Sequence, residues 1–143
     1  MNCPYAFMSI MHLKYLGDLQ VEAIHELSKV KITTDAPPDN QGKGRSFSPT
    51  DLAATSLGAC MATIMGIVAK RDNIPLEGMT LQVEKKMTQK LPRRIDELNV
   101  AFTIPHLIPE KEQQKLIAAA KTCPVHHSLH PDIKINLTFH WKP

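Results

Sequence analysis

The sequence lacks a strong net charge, a glycine-rich phosphate loop and any low-complexity segment. The formal net charge is +3 and the basic residues are scattered, so a nucleic-acid partner is poorly supported. The sequence contains no nucleophile-elbow motif, so it gives no support for a serine hydrolase. A composition of 43% hydrophobic and 22% charged residues is typical of an ordinary folded protein, and the length predicts one domain over residues 1–143.

The first ten residues lack the basic start and the uninterrupted apolar run of a secretory signal, so we expect a cytoplasmic protein. The chain contains only three cysteines. In a reducing compartment such cysteines are more often buried residues, metal ligands or reactive thiols than structural disulfides. Cys3 lies close to the terminus and we expect no role for it. Cys60 and Cys123 are the remaining candidates.

Charge is also missing from the longest apolar run, Leu52–Ala69, which carries Cys60 near its middle. Ser48 can cap the start of a helix, Pro49 suits the first helical position, and Asp51 stands where a capping-box acid stands. Its 18 uncharged residues are at the lower limit for a membrane span. The run is rich in small residues and no aromatic belt flanks it, so it predicts the central helix of a water-soluble core, with no membrane partner.

This predicted helix is apolar on every side rather than along one stripe. A sheet with one apolar face can cover only one side of such a helix. The uncovered side therefore predicts a second subunit, most simply in a twofold homodimer.

Alternating apolar residues and turn signals divide the rest of the chain into strands, one further helix and a long loop. The predicted strands are Ser9–Leu16, Leu19–Glu26, Val30–Thr34, Met79–Gln89, Arg94–Ile104 and Ile133–Trp141, with a helix over Pro109–Lys121 and an irregular loop over Asp35–Phe47. Strands come in hairpins and do not alternate with helices. This order predicts an α+β fold with antiparallel strand pairs rather than an alternating βαβ fold.

A second cysteine stretch, Thr122–Pro131, follows the predicted second helix. Pro124 suits a first helical position, so Cys123 is expected to cap a short helix whose positive end would lower the pKa of its thiol. Cys60, in mid-helix, is expected to be buried, and only a nearby cation could then favour its thiolate. Arg45, in the loop before the helix, is the candidate cation. The alternative is a solvent-exposed loop arginine.

Three histidines close to Cys123, namely His126, His127 and His130, leave a zinc site open as an alternative. Their spacing is not that of a zinc finger or ribbon, and no carboxylate is placed to orient the imidazoles. Histidines on a short surface helix are the simpler interpretation.

The residues around the two cysteines resemble those of the family of osmotically inducible protein C and organic hydroperoxide resistance protein. The resemblance lies in Ser48-Pro49-Thr50-Asp51-Leu52 followed by Gly58-Ala59-Cys60, and in Thr122-Cys123-Pro124-Val125 before a closing alternating strand. It covers nearly the whole chain in the order and type of the elements.

This resemblance implies an antiparallel sheet wrapped around long central helices, in an intertwined homodimer whose helices pack centrally between the sheets. It also implies a thiol-dependent peroxidase that reduces organic or inorganic hydroperoxides without a metal or flavin. Cys60 would be the thiol that reacts with the peroxide, and Cys123 would resolve the resulting sulfenic acid to a disulfide. An external dithiol would then reset the pair.

Two departures from the family pattern concern the other site residues. The family carries a glutamate directly after the proline, where this chain has Thr50, so Asp51, one place further on, is taken as its counterpart. The family's activating arginine lies further upstream of the cysteine than Arg45 does. We therefore expect a less studied branch of the family. A redox-sensing or small-molecule-binding dimer with little turnover remains the alternative function.

Overall fold

The computed structural model describes residues 8–143, so Cys3 lies outside the described residues. The elements are, in chain order, β1 (Met11–Gly17), β2 (Gln20–His25), β3 (Lys31–Asp35), α1 (Pro49–Asp72), β4 (Thr80–Met87), β5 (Ile95–Ile104), α2 (Glu110–Lys121), α3 (Pro124–Ser128) and β6 (Lys134–Trp141). The chain divides into two units, Met1–Leu52 and Ala53–Pro143, and the boundary falls within α1. A single domain over residues 1–143 stays a prediction.

The first unit carries a three-stranded antiparallel sheet in the order β1-β2-β3. Asp18 and Leu19 form the turn between β1 and β2, and both have positive φ angles, 50° and 61°. Positive φ at both central positions is the conformation of type I′ turns, whose twist matches that of antiparallel strands. The predicted opening hairpin and third strand are confirmed, with ends that differ by one or two residues.

The loop after β3 is irregular, as predicted, apart from one 3₁₀ turn over Pro38–Asn40. Hydrogen bonds connect its far end back to β3. The Asp35 N–H donates to the Phe47 carbonyl at 3.1 Å, and Ser46 Oγ donates to the Thr33 carbonyl at 2.6 Å. The loop is therefore ordered although it contains little regular structure.

Helix α1 begins with a reciprocal capping box. Ser48 Oγ accepts a hydrogen bond from the Asp51 N–H at 3.1 Å, and Asp51 Oδ2 accepts one from the Ser48 N–H at 2.9 Å. Both amides lie at a helix start, where no intrahelical acceptor is available. The predicted helix and its start are confirmed, and the helix continues to Asp72.

The second unit carries a separate three-stranded sheet in the order β4-β5-β6. Strand β4 pairs with β5 in the predicted antiparallel hairpin, but β6 pairs with β5 in parallel. The prediction of an antiparallel sheet is therefore wrong for this pair. Parallel neighbours need a long crossover connection, and here the connection between β5 and β6 contains α2 and α3. The α+β fold itself is confirmed.

Apolar faces of α1, the sheet and α2 form the core of the second unit. Buried residues on α1 recur at helical spacing, namely Ala54, Leu57, Gly58, Met61, Met65 and Ala69. They belong to one cluster with fully buried side chains of β5 and α2, among them Leu98, Phe102 and Leu116. The opposite side of α1 remains open in the single chain, where Ile67 is 59% exposed. Only one stripe of this apolar helix is therefore covered.

Helix α1 is also long and apolar enough to cross a membrane by length and composition, with a mean hydropathy of 1.8. The core helix of a soluble protein passes the same test, and 33% of the apolar window is buried inside the chain. The buried part is the stripe that packs in the core. A central helix was predicted to pack in the core, and this stripe of α1 does so.

Candidate functional site

Cys60 lies in the middle of α1 and its side chain is half-buried. It packs against the hydrophobic core together with Ile64 on the next turn. The sequence predicted a buried thiol. That prediction is wrong for the single chain, because only one stripe of α1 is covered and Cys60 stands at the border of this stripe.

Cys123 lies between α2 and α3 and caps α3. Its Sγ accepts a hydrogen bond from the His126 N–H at 3.5 Å, and Pro124 occupies the first turn of the helix. The predicted cap is therefore confirmed. On the preceding side, the Cys123 N–H donates to the Ala120 carbonyl of α2 at 3.3 Å. The residue is 0% exposed, so it is held from both sides and closed to solvent.

The two thiols lie in the same core cluster of the second unit, close enough for Cys60 to affect the pKa of the Cys123 thiol, and they are not joined by a disulfide. Burial raises the pKa of Cys123, and the neighbouring Cys60 thiol adds to the increase. The N–H groups of His126 and Val125 lower that pKa, but by less than burial raises it. The predicted lowering of the Cys123 pKa is therefore wrong, because removing a thiolate from water outweighs the favourable end of a short helix.

Arg45 lies in the loop before α1, and its guanidinium is paired within the first unit. Nε donates to Asp35 Oδ2 at 2.7 Å and Nη2 donates to Asp35 Oδ1 at 3.2 Å. Nη2 also donates to the Asp18 carbonyl at 3.0 Å, and Nη1 lies 3.1 Å from the Asp18 carboxylate. The Asp35 side chain is 0% exposed, and its hydrogen bonds from Arg45 lower its pKa to about 2. Arg45 is thus the partner of a buried carboxylate, and its predicted action on Cys60 stays a prediction.

Asp51 uses its carboxylate in the capping box of α1, nine residues before Cys60 in the sequence. Thr50 Oγ1 lies 3.2 Å from Ser48 Oγ at the same helix start. The Asp51 carboxylate therefore stabilises the start of α1. Its catalytic role, taken from the family resemblance, stays a prediction.

The histidines beside Cys123 do not assemble a ligand set for zinc. His126 Nδ1 lies 3.3 Å from the Lys121 carbonyl, and the His126 and His127 rings stack with their centroids 5.7 Å apart. Across residues 8–143, no three side chains of His, Cys, Asp or Glu are grouped so that they could hold a metal ion. The zinc alternative therefore finds no site in this part of the chain.

The sequence profile of OsmC-like proteins matches residues 42–138. The chain belongs to the OsmC-like family. Its structure is similar to that of a proposed osmotic stress induced and detoxification response protein from Psychrobacter arcticus, with 45% sequence identity and a TM-score of 0.89. That similarity covers 96% of this chain and 99% of the other.

Two more distant structures share the OsmC-like fold. One is an organic hydroperoxide resistance protein OsmC from Legionella pneumophila, with 19% identity and a TM-score of 0.76 over 95% of this chain and 98% of that one. The other is the organic hydroperoxide resistance protein OhrB of Bacillus subtilis, with 18% identity and a TM-score of 0.69 over 93% and 98%. No curated protein matches the chain.

Two residues that contact predicted site residues, Asp35 at Arg45 and His126 at Cys123, were not predicted in these roles from the sequence. Asp35 directly follows the β-branched residues of β3 and precedes the loop that contains Arg45. An acid at this position could have suggested an ion pair with Arg45. His126 stands three positions after Cys123, the spacing at which a helix N–H reaches a capping side chain. The contact of the His126 ring with the Lys121 carbonyl could not be predicted from any sequence pattern.

Proposed function

We propose that this OsmC-like protein is a thiol-dependent peroxidase that reduces organic hydroperoxides and, by the same chemistry, inorganic ones. The observation that carries the proposal is that Cys60 packs against the core cluster that contains Cys123, close enough to affect the pKa of the Cys123 thiol. Two free thiols that lie close together can be oxidised to a disulfide when their Cα and Cβ atoms are within bridging distance. Relatives of the same fold that are named organic hydroperoxide resistance proteins support the substrate class.

Cys60 acts first in this proposal because its side chain is half-exposed, whereas Cys123 is buried. The Cys60 thiolate attacks the hydroxyl oxygen of the hydroperoxide, the O–O bond breaks, the alkoxide leaves and takes a proton from water to become the alcohol, and Cys60 becomes a sulfenic acid. The Cys123 sulfur then displaces the hydroxyl group, which leaves as water with the Cys123 proton, and a disulfide forms. An external dithiol donates two electrons by exchange and restores both thiols. No metal or flavin takes part.

We also propose that the active protein is a cytoplasmic homodimer that binds neither nucleic acid nor membranes. The open side of α1 supports the dimer, because Ile67 is 59% exposed there in the single chain. A partner subunit on this side would remove apolar surface from water.

The test uses a Cys3→Ser background, in which two of the three cysteines remain. Cumene hydroperoxide is expected to consume both thiols and to form a Cys60–Cys123 disulfide that peptide mass mapping identifies. Cys60→Ser should abolish the thiol loss. Cys123→Ser should accumulate a Cys60 sulfenic acid that dimedone traps. Retention of both thiols in the parent protein would contradict the proposal.

A redox sensor with little turnover is the second candidate function, and the pairing of Arg45 favours it. The guanidinium contacts carboxylate or carbonyl oxygens of Asp35 and Asp18 through Nε, Nη1 and Nη2. Its charge is therefore largely balanced within the first unit. A cation whose charge is balanced by carboxylates stabilises a neighbouring thiolate less than an unpaired cation does. Repeated consumption of hydroperoxide with dithiothreitol as reductant would exclude the sensor, and oxidation that stops after one equivalent would support it.

A further inference from the structure

His126 makes two hydrogen bonds around Cys123. Its backbone N–H donates to Cys123 Sγ at 3.5 Å. Its ring Nδ1 lies 3.3 Å from the Lys121 carbonyl. A carbonyl oxygen can only accept, so Nδ1 carries the proton and donates. One residue therefore contacts the sulfur and also ties α3 to the chain before the cysteine.

The bond to Lys121 lies at the end of α2, where the last carbonyls have no donor within the helix. The Cys123 N–H donates to the Ala120 carbonyl at 3.3 Å, and the His126 ring donates to Lys121, the last residue of α2. Helices α2 and α3 are thus joined by a side chain as well as by the two residues between them. Cys123 is one of these two residues, so its place depends on this junction.

We propose that His126 is a positioning residue that fixes the Cys123 sulfur on the side of the core where Cys60 packs, through the hydrogen bond of its ring to Lys121. This inference rests on the proposed function, since it concerns the step in which the Cys60 sulfenic acid and the Cys123 thiol condense to a disulfide and water. Without the ring donor, α3 is less firmly fixed to α2 and the Cys123 sulfur spends less time at reactive distance. The attack of Cys60 on peroxide is unaffected, because that step does not use Cys123.

The kinetic test compares His126→Ala, which removes the donor, with His126→Asn, whose Nδ2 stands close to the position of Nδ1. Dimedone trapping should show the same rate of Cys60 sulfenic acid formation in both variants and in the parent. Disulfide closure should slow about 2- to 12-fold in His126→Ala, the range that one ordinary hydrogen bond corresponds to, and recover in His126→Asn. His140→Ala, at an exposed position of β6, is the matched control and should change neither rate.

A second measurement needs no peroxide. In mixtures of reduced and oxidised dithiothreitol, the Cys60–Cys123 disulfide of His126→Ala should be reduced more readily than that of the parent by the same factor, and His126→Asn should match the parent. If peroxide leaves both thiols intact but this equilibrium shifts as expected, the proposed function fails and the role of His126 stands. His126→Leu, which fills the ring volume without a donor, is compared in the same way, so the result does not depend on the folding of the Ala variant.

Two results would overturn the inference. One is closure and disulfide stability in His126→Ala and His126→Leu equal to those of the parent. The other is an equal loss in His126→Asn and His126→Ala, because a donor at the ring position would then be irrelevant.

Discussion

Gly58 and Gly66 both lie inside α1, yet their surroundings differ. A Cβ atom added at Gly58 would lie 2.8 Å from Val83 Cγ2 and 3.7 Å from Leu81 Cδ2, both on β4. A Cβ atom added at Gly66 would meet no atom of the described residues within 4 Å. Replacement of each by alanine therefore gives a matched pair, with the same gain in helix propensity and a different steric cost. The pair tests how closely the helix that carries Cys60 packs on its sheet.

The expected magnitudes follow from two opposing effects. Alanine in place of glycine in a helix interior gains about 1 kcal/mol. Extra volume in a packed core costs roughly 1–3 kcal/mol, and Val83 cannot simply rotate away because a β-branched side chain is restricted at χ1. Gly66→Ala should therefore raise the free energy of unfolding by about 1 kcal/mol. Gly58→Ala should lower it by roughly 0–2 kcal/mol, so the two variants should differ by roughly 1–3 kcal/mol.

Urea denaturation under reducing conditions, followed by the fluorescence of the single tryptophan, Trp141, measures both values. Measurement at several protein concentrations separates a loss of subunit association from a loss of fold. Gly58→Ala should also be better tolerated in a Val83→Ala background, with a coupling energy of about 1 kcal/mol or more. The steric argument would be refuted if the free energies of unfolding of Gly58→Ala and Gly66→Ala agreed within about 0.5 kcal/mol and Gly58→Ala showed no coupling to Val83→Ala.

Three further predictions concern a carboxylate, a thiol and the open side of α1. The pKa of Asp35 is lowered to about 2, so its contribution to stability is present above about pH 4 and is lost as the pH falls from there toward 2. The urea midpoint of the wild type should fall more steeply in this window than that of Asp35→Asn, and parallel curves would contradict the prediction. Burial raises the pKa of Cys123, so its contribution is present below the ordinary thiol value of about 8.5 and is lost as the pH rises above it. Cys123→Ala should flatten the decline in stability between pH 8 and 10, and an unchanged decline would assign it to other groups. Ile67→Glu should convert the proposed dimer to monomers in sedimentation velocity without loss of helical circular dichroism, and a persistent dimer would place the interface elsewhere.

The start of α1 could be predicted because its determinants are adjacent in the sequence. Ser48 and Asp51 satisfy each other's amides across one turn, and no distant residue is needed for that exchange. The same holds for the cap of α3, where Cys123 and Pro124 act over a single turn. Local chemistry was therefore a sufficient guide to where these helices begin.

The direction of β6 could not be predicted in the same way. Its alternation of apolar and polar residues identified a strand with one apolar face, and the structure confirms that strand. Alternation, however, is the same for both strand directions. The direction depends on where α2 and α3 lead the chain after β5, which is a property of tertiary packing.

The predictions for Cys123 and Arg45 also depended on tertiary structure. The predicted lowering of the Cys123 pKa was wrong, and the predicted action of Arg45 on Cys60 stays a prediction. The effect of the α3 helix on Cys123 is local, but the burial that outweighs it comes from the core cluster, to which Phe102 and Leu116 also belong. Arg45 could be recognised as the candidate cation from its place in the chain. Its bidentate contact with Asp35 depends on how the loop returns to β3. A distance along the chain of ten residues does not reveal that contact.

The different burial of the two thiols assigns the order of the proposed steps. Cys123 is 0% exposed, and its raised pKa keeps it protonated at neutral pH, so it neither meets peroxide nor offers a thiolate to it. Cys60 is half-exposed and packs against the core cluster that contains Cys123. A sulfenic acid formed at Cys60 is therefore already beside its resolving thiol. The reverse order would require peroxide to enter a fully buried position, and a Cys60→Ser variant that still forms a sulfenic acid at Cys123 would show that it does.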